Sequence, residues 1–229
     1  MKTLGLIGGT TWHSTADYYK YINKLMNEKL GGSNSARCII YSLNFADVVK
    51  NNQANDLKAN EQLIVNAAMS LKNAGVDALV LCANTMHLFA ESVQEKTALP
   101  VIHIAVETGK EIRRQNLATV ALLGTKYTME MDFFKTKLSE QNIQTIIPEV
   151  DERSFIHSTI FEEFAKGIFN QETKEQYIAI IEGLATRGAE GIILGCTEIP
   201  MLLRQEDVAV PVFDTTLIHS RAAVEFVAE

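Results

Sequence analysis

Gly75-Val76-Asp77-Ala78-Leu79-Val80-Leu81-Cys82-Ala83-Asn84-Thr85 aligns without a gap on Gly188-Ala189-Glu190-Gly191-Ile192-Ile193-Leu194-Gly195-Cys196-Thr197-Glu198. Each stretch reads as a glycine that ends a helix, a short apolar strand, and a polar turn that opens the next helix. A pattern met twice predicts two similar halves. The copies differ where a thiol would matter: Cys196 stands opposite Ala83, and Cys82 falls one residue early, opposite Gly195.

Outward from these stretches the same order of elements repeats. Upstream of the first copy, residues 3 to 9 read as a buried strand ending in a Gly turn and 16 to 30 as a helix stopped by Gly31-Gly32. A strand over 37 to 45, a polar stretch at 51 to 55 and a helix over 57 to 73 follow. Downstream come a helix over 87 to 97 and the short apolar run 101 to 104. The second set has a strand over 117 to 123 ending in Gly124-Thr125, matched with Gly9-Thr10, and a helix over 128 to 141. A strand over 143 to 147 and helices over 161 to 168 and 175 to 186 lead to the second copy. The runs 200 to 203 and 208 to 213 match the region around Val101, and 219 to 227 reads as a last helix. Strands alternating with helices predict parallel sheets with helical crossovers, hence an α/β protein. The expected lobes are residues 1–112 and 113–214, with a helix over 215–229 able to pack back on the first. Ligands in such sheets bind beyond the carboxyl ends of the strands, where Asn84-Thr85 and Cys196-Thr197 both lie.

The composition narrows the function. No apolar run reaches the 18 or so residues of a membrane span, and the N-terminal stretch lacks the features of a secretion signal, so a cytoplasmic protein is expected. The net charge is −7 with no basic block, which argues against a nucleic-acid partner. Three cysteines at 38, 82 and 196 are too few and too scattered for a disulfide framework, and no CxxC or His-x-x-x-His spacing points to a metal.

Cys196 carries the strongest chemical reading. A cysteine at a strand end, ahead of a helix start, meets backbone N–H groups that favour a thiolate, although most free cysteines are small core residues. Cys82 should face away from such a site, because successive strand residues point to opposite faces, unless a bulge turns it round. Cys38 reads as core. Gly8-Gly9-Thr10-Thr11 matches neither common phosphate-loop pattern and better suits a ligand-lining turn. Asn84-Thr85 and Thr197-Glu198 offer donors suited to a carboxylate, or plain helix caps. Histidines 13, 87, 103, 157 and 219 have no spacing that names a site, and Lys166 reads by itself as a surface lysine.

The motifs Leu4-Gly5-Leu6-Ile7-Gly8-Gly9, Leu30-Gly31-Gly32, Asn84-Thr85-Met86-His87, Tyr127-Thr128-Met129-Glu130, Gly195-Cys196-Thr197-Glu198-Ile199 and Phe213-Asp214-Thr215 span nearly the whole chain. Taken together they resemble the aspartate/glutamate racemase family, the cofactor-independent amino-acid racemases. The resemblance implies two pseudo-twofold-related lobes, each a parallel sheet flanked by helices, with the amino-acid substrate in the cleft between them, and usually a homodimer. It implies no pyridoxal phosphate and no metal. Typical members use a cysteine on each side of the substrate's α-carbon. Here one acid/base falls on Cys196, while the other family position is Ala83, which cannot transfer a proton. A bulge bringing in Cys82, another group, or loss of two-sided chemistry could each answer that gap. Substrate contacts implied by the resemblance fall on Thr10, Asn52, Ala83, Asn84, Thr85, Thr197 and Glu198. Lys166 resembles the lysine that aspartate-specific members use on the substrate's side-chain carboxylate.

Overall fold

The computed structural model describes residues 1–228, and the chain divides into two compact units, Met1–Ile104 with the segment from His219 on, and Ala105–Ile218. In the first, β1 (Thr3–Gly8) leads to α1 (Trp12–Leu30), β2 (Arg37–Ser42), α2 (Phe45–Gln53), α3 (Leu57–Asn73), β3 (Ala78–Leu81), α4 (Ala90–Thr97), β4 (Val101–Ile102) and α5 (Ile104–Arg114), whose body belongs to the second unit. The second unit continues with β5 (Thr119–Gly124), α6 (Lys126–Glu130), α7 (Asp132–Ser139), β6 (Gln144–Ile146), α8 (Val150–Glu162), α9 (Gln171–Thr186), β7 (Gly191–Gly195), α10 (Ile199–Leu202) and β8 (Val212–Asp214). The last helix, α11 (Thr215–Ala228), returns the chain to the first unit.

Each unit holds one parallel four-stranded sheet, ordered β2-β1-β3-β4 and β6-β5-β7-β8. The two sheets share one register. Leu4 pairs with Ala78 and Ile7 with Leu81, as Val120 pairs with Gly191 and Leu123 with Leu194. The quoted stretches are therefore equivalent residue by residue.

The flanking chemistry repeats as well. Gly75 and Gly188 follow α3 and α9 at φ of 81° and 99°, a left-handed conformation that L side chains resist. In each case the next residue closes the helix end, Val76 N–H donating to Leu71 O and Ala189 N–H to Leu184 O. Asp77 and Glu190 then fasten the neighbouring strand. Asp77 Oδ2 accepts from Thr3 N at 2.6 Å, and Glu190 Oε2 accepts from Ala118 N and Thr119 N at 2.7 and 2.8 Å. Those two backbone donors hold the Glu190 carboxyl below its usual range.

Alternation sorts the apolar side chains of each strand between two faces. Leu4, Leu6, Ala78, Val80 and Cys82 pack with Tyr18, Ile22 and Met26 of α1 and Ala223, Val224 and Val227 of α11. Ile7, Leu79 and Leu81 face the other way, onto Ile64, Ala68 and Leu71 of α3 and Val93 of α4. In the second unit Ala121, Leu123, Ile192, Leu194 and Cys196 share one face with residues of α8 and α9.

Several elements differ from expectation. The helix expected from Ala16 begins at Trp12, because Thr11 caps it by accepting from Ser14 N. The polar run 51–55 lies largely in α2, whose start Asn44 caps with its side chain. The helix expected over 128–141 is broken at extended Met131, and that over 161–168 is replaced by α8, which ends at Glu162. Pro200 opens the short helix α10 instead of sitting in a strand-like run. The match of Gly124-Thr125 to Gly9-Thr10 also shifts. Gly124 corresponds by register to Gly8, and Thr125 caps α6 as Thr11 caps α1, so Gly9 and Thr10 are an insertion in the first unit.

Candidate active site

The candidate residues of the first unit, Asn52 apart, follow the carboxyl ends of its strands β1 and β3. Gly8 ends β1 under the side chain of Thr15, which a Cβ on Gly8 would overlap, and Thr15 Oγ1 accepts from Gly9 N at 2.8 Å. Gly9 follows at φ 90° against the backbone of Leu43. Thr10 comes next, and its Oγ1 is shielded from solvent without a hydrogen-bond partner among the described residues. Beside it, β3 runs through Cys82 into Ala83 and the buried Asn84, and Cys82 N donates to Ile7 O. Thr85 opens a 3₁₀ turn over Thr85–Phe89. Asn52 lies on α2, where its Oδ1 accepts from Asn60 Nδ2 at 2.7 Å.

Cys82 points away from these residues. It is 1% exposed within the α1/α11 face of the core, and its Sγ lies 3.8 Å from Val80 O. Burial, with the nearby Cys38, pushes its thiol far above the ordinary range. No bulge turns it round, since β3 keeps its register up to Leu81 and the next residue continues the ladder to Ile7. Cys38 itself is half-buried on the edge strand β2.

The Ala83–Asn84 turn is held by groups to which the sequence assigns no role. Ser14 Oγ donates to Cys82 O at 2.6 Å. His87 Nδ1 lies 3.0 Å from Ala83 O, while its Nε2 accepts from Ile104 N at 3.2 Å. That acceptor role puts the ring proton on Nδ1. His219 bridges Ile102 O through Nε2 at 2.6 Å and the Tyr18 hydroxyl through Nδ1 at 2.8 Å. Both imidazoles are neutral because burial disfavours their charged form. His87 is held well below the usual histidine range, with the neighbouring His103 and His219 adding to the effect, and His219 is pushed down to about 4. Thr11 at the cap, three residues before Ser14, is the sequence signal that would have drawn Ser14 into the site.

In the second unit β7 ends at Gly195, level with Gly124 of β5. A Cβ at Gly195 would stand 2.6 Å from Leu123 O, so this position admits only glycine without a backbone shift. Cys196 follows, 8% exposed. Its Sγ–H donates to Glu198 Oε2 at 3.0 Å, and Thr197 Oγ1 donates to the same oxygen at 2.6 Å. The sequence predicts a setting that favours a thiolate, and the structure reverses the net direction. Burial first, then the Glu198 carboxylate, hold the proton on sulfur well above the ordinary thiol range, against the backbone N–H groups of Thr197 and Glu198, which favour the thiolate. The helix beyond, α10, has only four residues and little dipole to add. Behind the sulfur, Tyr177 is buried and pairs with Thr159 Oγ1 at 2.9 Å. Lys166 is exposed at the end of a 3₁₀ turn over Phe164–Lys166, well separated in sequence from the β7 end.

Chemically, the β7 end presents a thiol with a carboxylate acceptor and two backbone donors, a set able to give and take one proton. The β3 end presents hydrogen-bonding groups and no titrating side chain at position 83. Among the described residues no group of three His, Cys, Asp or Glu side chains is placed to hold a metal ion, and no helix is long and apolar enough to cross a membrane.

Residues 7–223 match the family described as Asp/Glu/Hydantoin racemase. The chain is 24% identical over 227 residues to the broad specificity amino-acid racemase RacX of Bacillus subtilis, covering 96% of each. Among solved structures it is similar to a protein described as an Asp/Glu racemase from Yersinia pestis, with 41% identity, a TM-score of 0.94 and all of both chains covered. It is also similar to an aspartate racemase homologue from Pyrococcus horikoshii, with 37% identity, a TM-score of 0.88 and again full coverage of both. The shared fold, the repeated strand ends and a match over almost the full length lead to one assignment: the chain belongs to the Asp/Glu/Hydantoin racemase family.

Proposed function

We propose that this protein is a cofactor-independent amino-acid racemase acting on aspartate, glutamate or both, with Cys196 as the acid/base that moves the substrate's α-proton. The observation that carries the reading is the setting of the Cys196 thiol, with an oriented S–H and two backbone donors ready for the thiolate. Family membership over residues 7–223 supports it. In this reading Thr10, Asn52, Ala83, Asn84, Thr85 and Thr197 border the substrate, and Lys166 pairs with its side-chain carboxylate. The unpartnered Thr10 hydroxyl is a donor suited to a substrate oxygen. Sulfur itself supplies the proton chemistry, so the reading calls for no pyridoxal phosphate. It extends to a homodimer working in the cytoplasm, as the family resemblance implies.

The test is proton NMR of L- and D-aspartate and glutamate in D₂O with the enzyme. Loss of the α-proton signal with appearance of the other enantiomer is the expected result. No exchange from either enantiomer of either amino acid would sink the reading. One specific observation favours a second reading. Ala83 offers no exchangeable proton at the position equivalent to Cys196, which suits one-sided chemistry such as decarboxylation or isomerisation of a small dicarboxylic acid by a single cysteine. Exchange from one enantiomer without inversion, or release of carbon dioxide from a malonate-type acid, would favour it.

A further inference from the structure

Glu198 lies where a thiol acid/base needs a proton partner. One of its oxygens, Oε2, receives both the Cys196 S–H at 3.0 Å and the Thr197 hydroxyl at 2.6 Å. A single carboxyl oxygen thus accepts from both donors and stands within proton-transfer distance of the sulfur. Glu198 is 8% exposed and Cys196 is equally buried, so the pair interacts with little solvent screening. Two opposed influences meet at the sulfur. The N–H groups of Thr197 and Glu198 favour a thiolate, and the carboxylate disfavours it. The opposition lasts only while Glu198 is ionised. Passing the proton from Sγ to Oε2 removes the repulsion and leaves the thiolate resting on its two backbone donors.

We propose that Glu198 is the proton partner of Cys196, a positioning residue that orients the resting S–H, takes its proton when the sulfur acts as a base, and returns it afterwards. The proposal rests on the racemase reading for the identity of the substrate, but not for the pairing of the two side chains. The step is a closed transfer. The S–H bond breaks with its electron pair left on sulfur, and an O–H bond forms on Oε2. The thiolate then takes the substrate's α-proton, so that the C–H bond breaks with its pair left on carbon and S–H is restored. Reprotonation of carbon by that S–H reverses the second step, and Glu198 then gives its proton back to sulfur. Nothing is oxidised or reduced. The role differs from a direct substrate contact, which the family resemblance assigns to the same residue: Oε2 is already engaged by two donors inside the protein.

The experiment uses the full chain as wild type, Glu198→Gln and Glu198→Asp, with melting temperatures recorded for each. The first readout needs no substrate: the pH dependence of Cys196 alkylation by iodoacetamide, followed by peptide mass spectrometry so that Cys38 and Cys82 are counted separately. In Glu198→Gln the midpoint should fall by about one pH unit or more, because the charge that opposes the thiolate is gone. The second readout is α-proton exchange from aspartate in D₂O. In Glu198→Gln, kcat should drop roughly tenfold or more with KM changed less than about threefold, and Glu198→Asp should recover part of kcat. An unchanged alkylation midpoint would overturn the pairing. A kcat that stays level or rises would show that the carboxylate only restrains the thiol, and a raised KM with kcat intact would make Glu198 a substrate contact. If Glu198→Gln does not fold, Glu198→Ala takes its place, a wild-type alkylation midpoint with wild-type kcat counting against the proposal. If the wild-type enzyme exchanges no α-proton, the racemase reading fails and the alkylation arm still decides the pair.

Discussion

The ends of β3 and β7 have the same register, the same glycine ahead of the strand and the same carboxylate fastening the neighbouring strand, yet they treat a thiol in opposite ways. On β3 the sulfur belongs to Cys82, on the face packed by α1 and α11. On β7 that place is Gly195, pressed against Leu123 O, and the sulfur comes one residue later, beside Glu198 and two backbone donors. A shift of one residue along a strand changes its face, so the same atom packs the core in one copy and meets a carboxylate in the other. Cysteines near matching motifs are therefore not interchangeable.

The widest gap between the two ends should show in paired replacements. Cys196→Ser is expected to lower α-proton exchange about a thousandfold with an unchanged melting temperature, as loss of a general acid/base does. Comparable residual activity in Cys196→Ser and the wild type would erase the contrast. Next in size is the glycine that shapes the β1 turn. Gly8→Ala drives a methyl into Thr15 and should destabilise the protein by roughly 3 kcal/mol, measured by urea denaturation.

Acid should separate the two regions further. His219 titrates near 6.5 in the unfolded chain and about 4 in the fold, so the unfolded chain binds the extra proton first as pH falls. Its contribution is complete above about pH 6.5 and is lost as pH drops through 4, at most about 3 kcal/mol, with His87 adding loss in the same direction. Denaturation midpoints from pH 7 down to pH 4 should fall, and His219→Gln should flatten that fall; a slope unchanged by the replacement would remove His219 from the account. Ala83→Cys, which gives β3 the thiol that β7 has, should raise racemisation roughly tenfold if a second acid/base is what the chain lacks. The smallest effect belongs to Cys82→Ser, less than about threefold on exchange with a loss of ~1 kcal/mol in stability, and a selective collapse of activity in the folded variant would place this thiol in the chemistry after all.

Much of this was legible because it is written in strands. Val80 and Ile193 stand in apolar runs that each follow a helix-ending glycine, and period-two alternation separates Cys82 from Ala83 on the sequence alone. Capping was harder to read. Thr11 and Asn44 start α1 and α2 through single hydrogen bonds, which periodicity does not register, so the apolar pattern marks α1 only from Ala16 and does not mark α2. Least legible were contacts across long stretches of chain. His87 and His219 carry no spacing that names them, and their roles depend on Ile104 and Ile102, brought near only by the folded sheet. The thiol of Cys196 taught the same lesson: the backbone donors beside it were foreseeable, while the burial and the Glu198 contact that reverse their effect were not.

The return of α11 to the first unit sets an order in time. Ala223, Val224 and Val227 cover the β-face carrying Leu4, Leu6, Ala78 and Val80, and His219 locks onto Tyr18 and Ile102. A ribosome delivers those strands more than a hundred residues before it delivers their cover. The unit begun first is thus finished last, with the second able to fold in the interval, and a nascent chain stalled before His219 would leave the part of that face beside α1 uncovered, apolar surface of the kind chaperones bind.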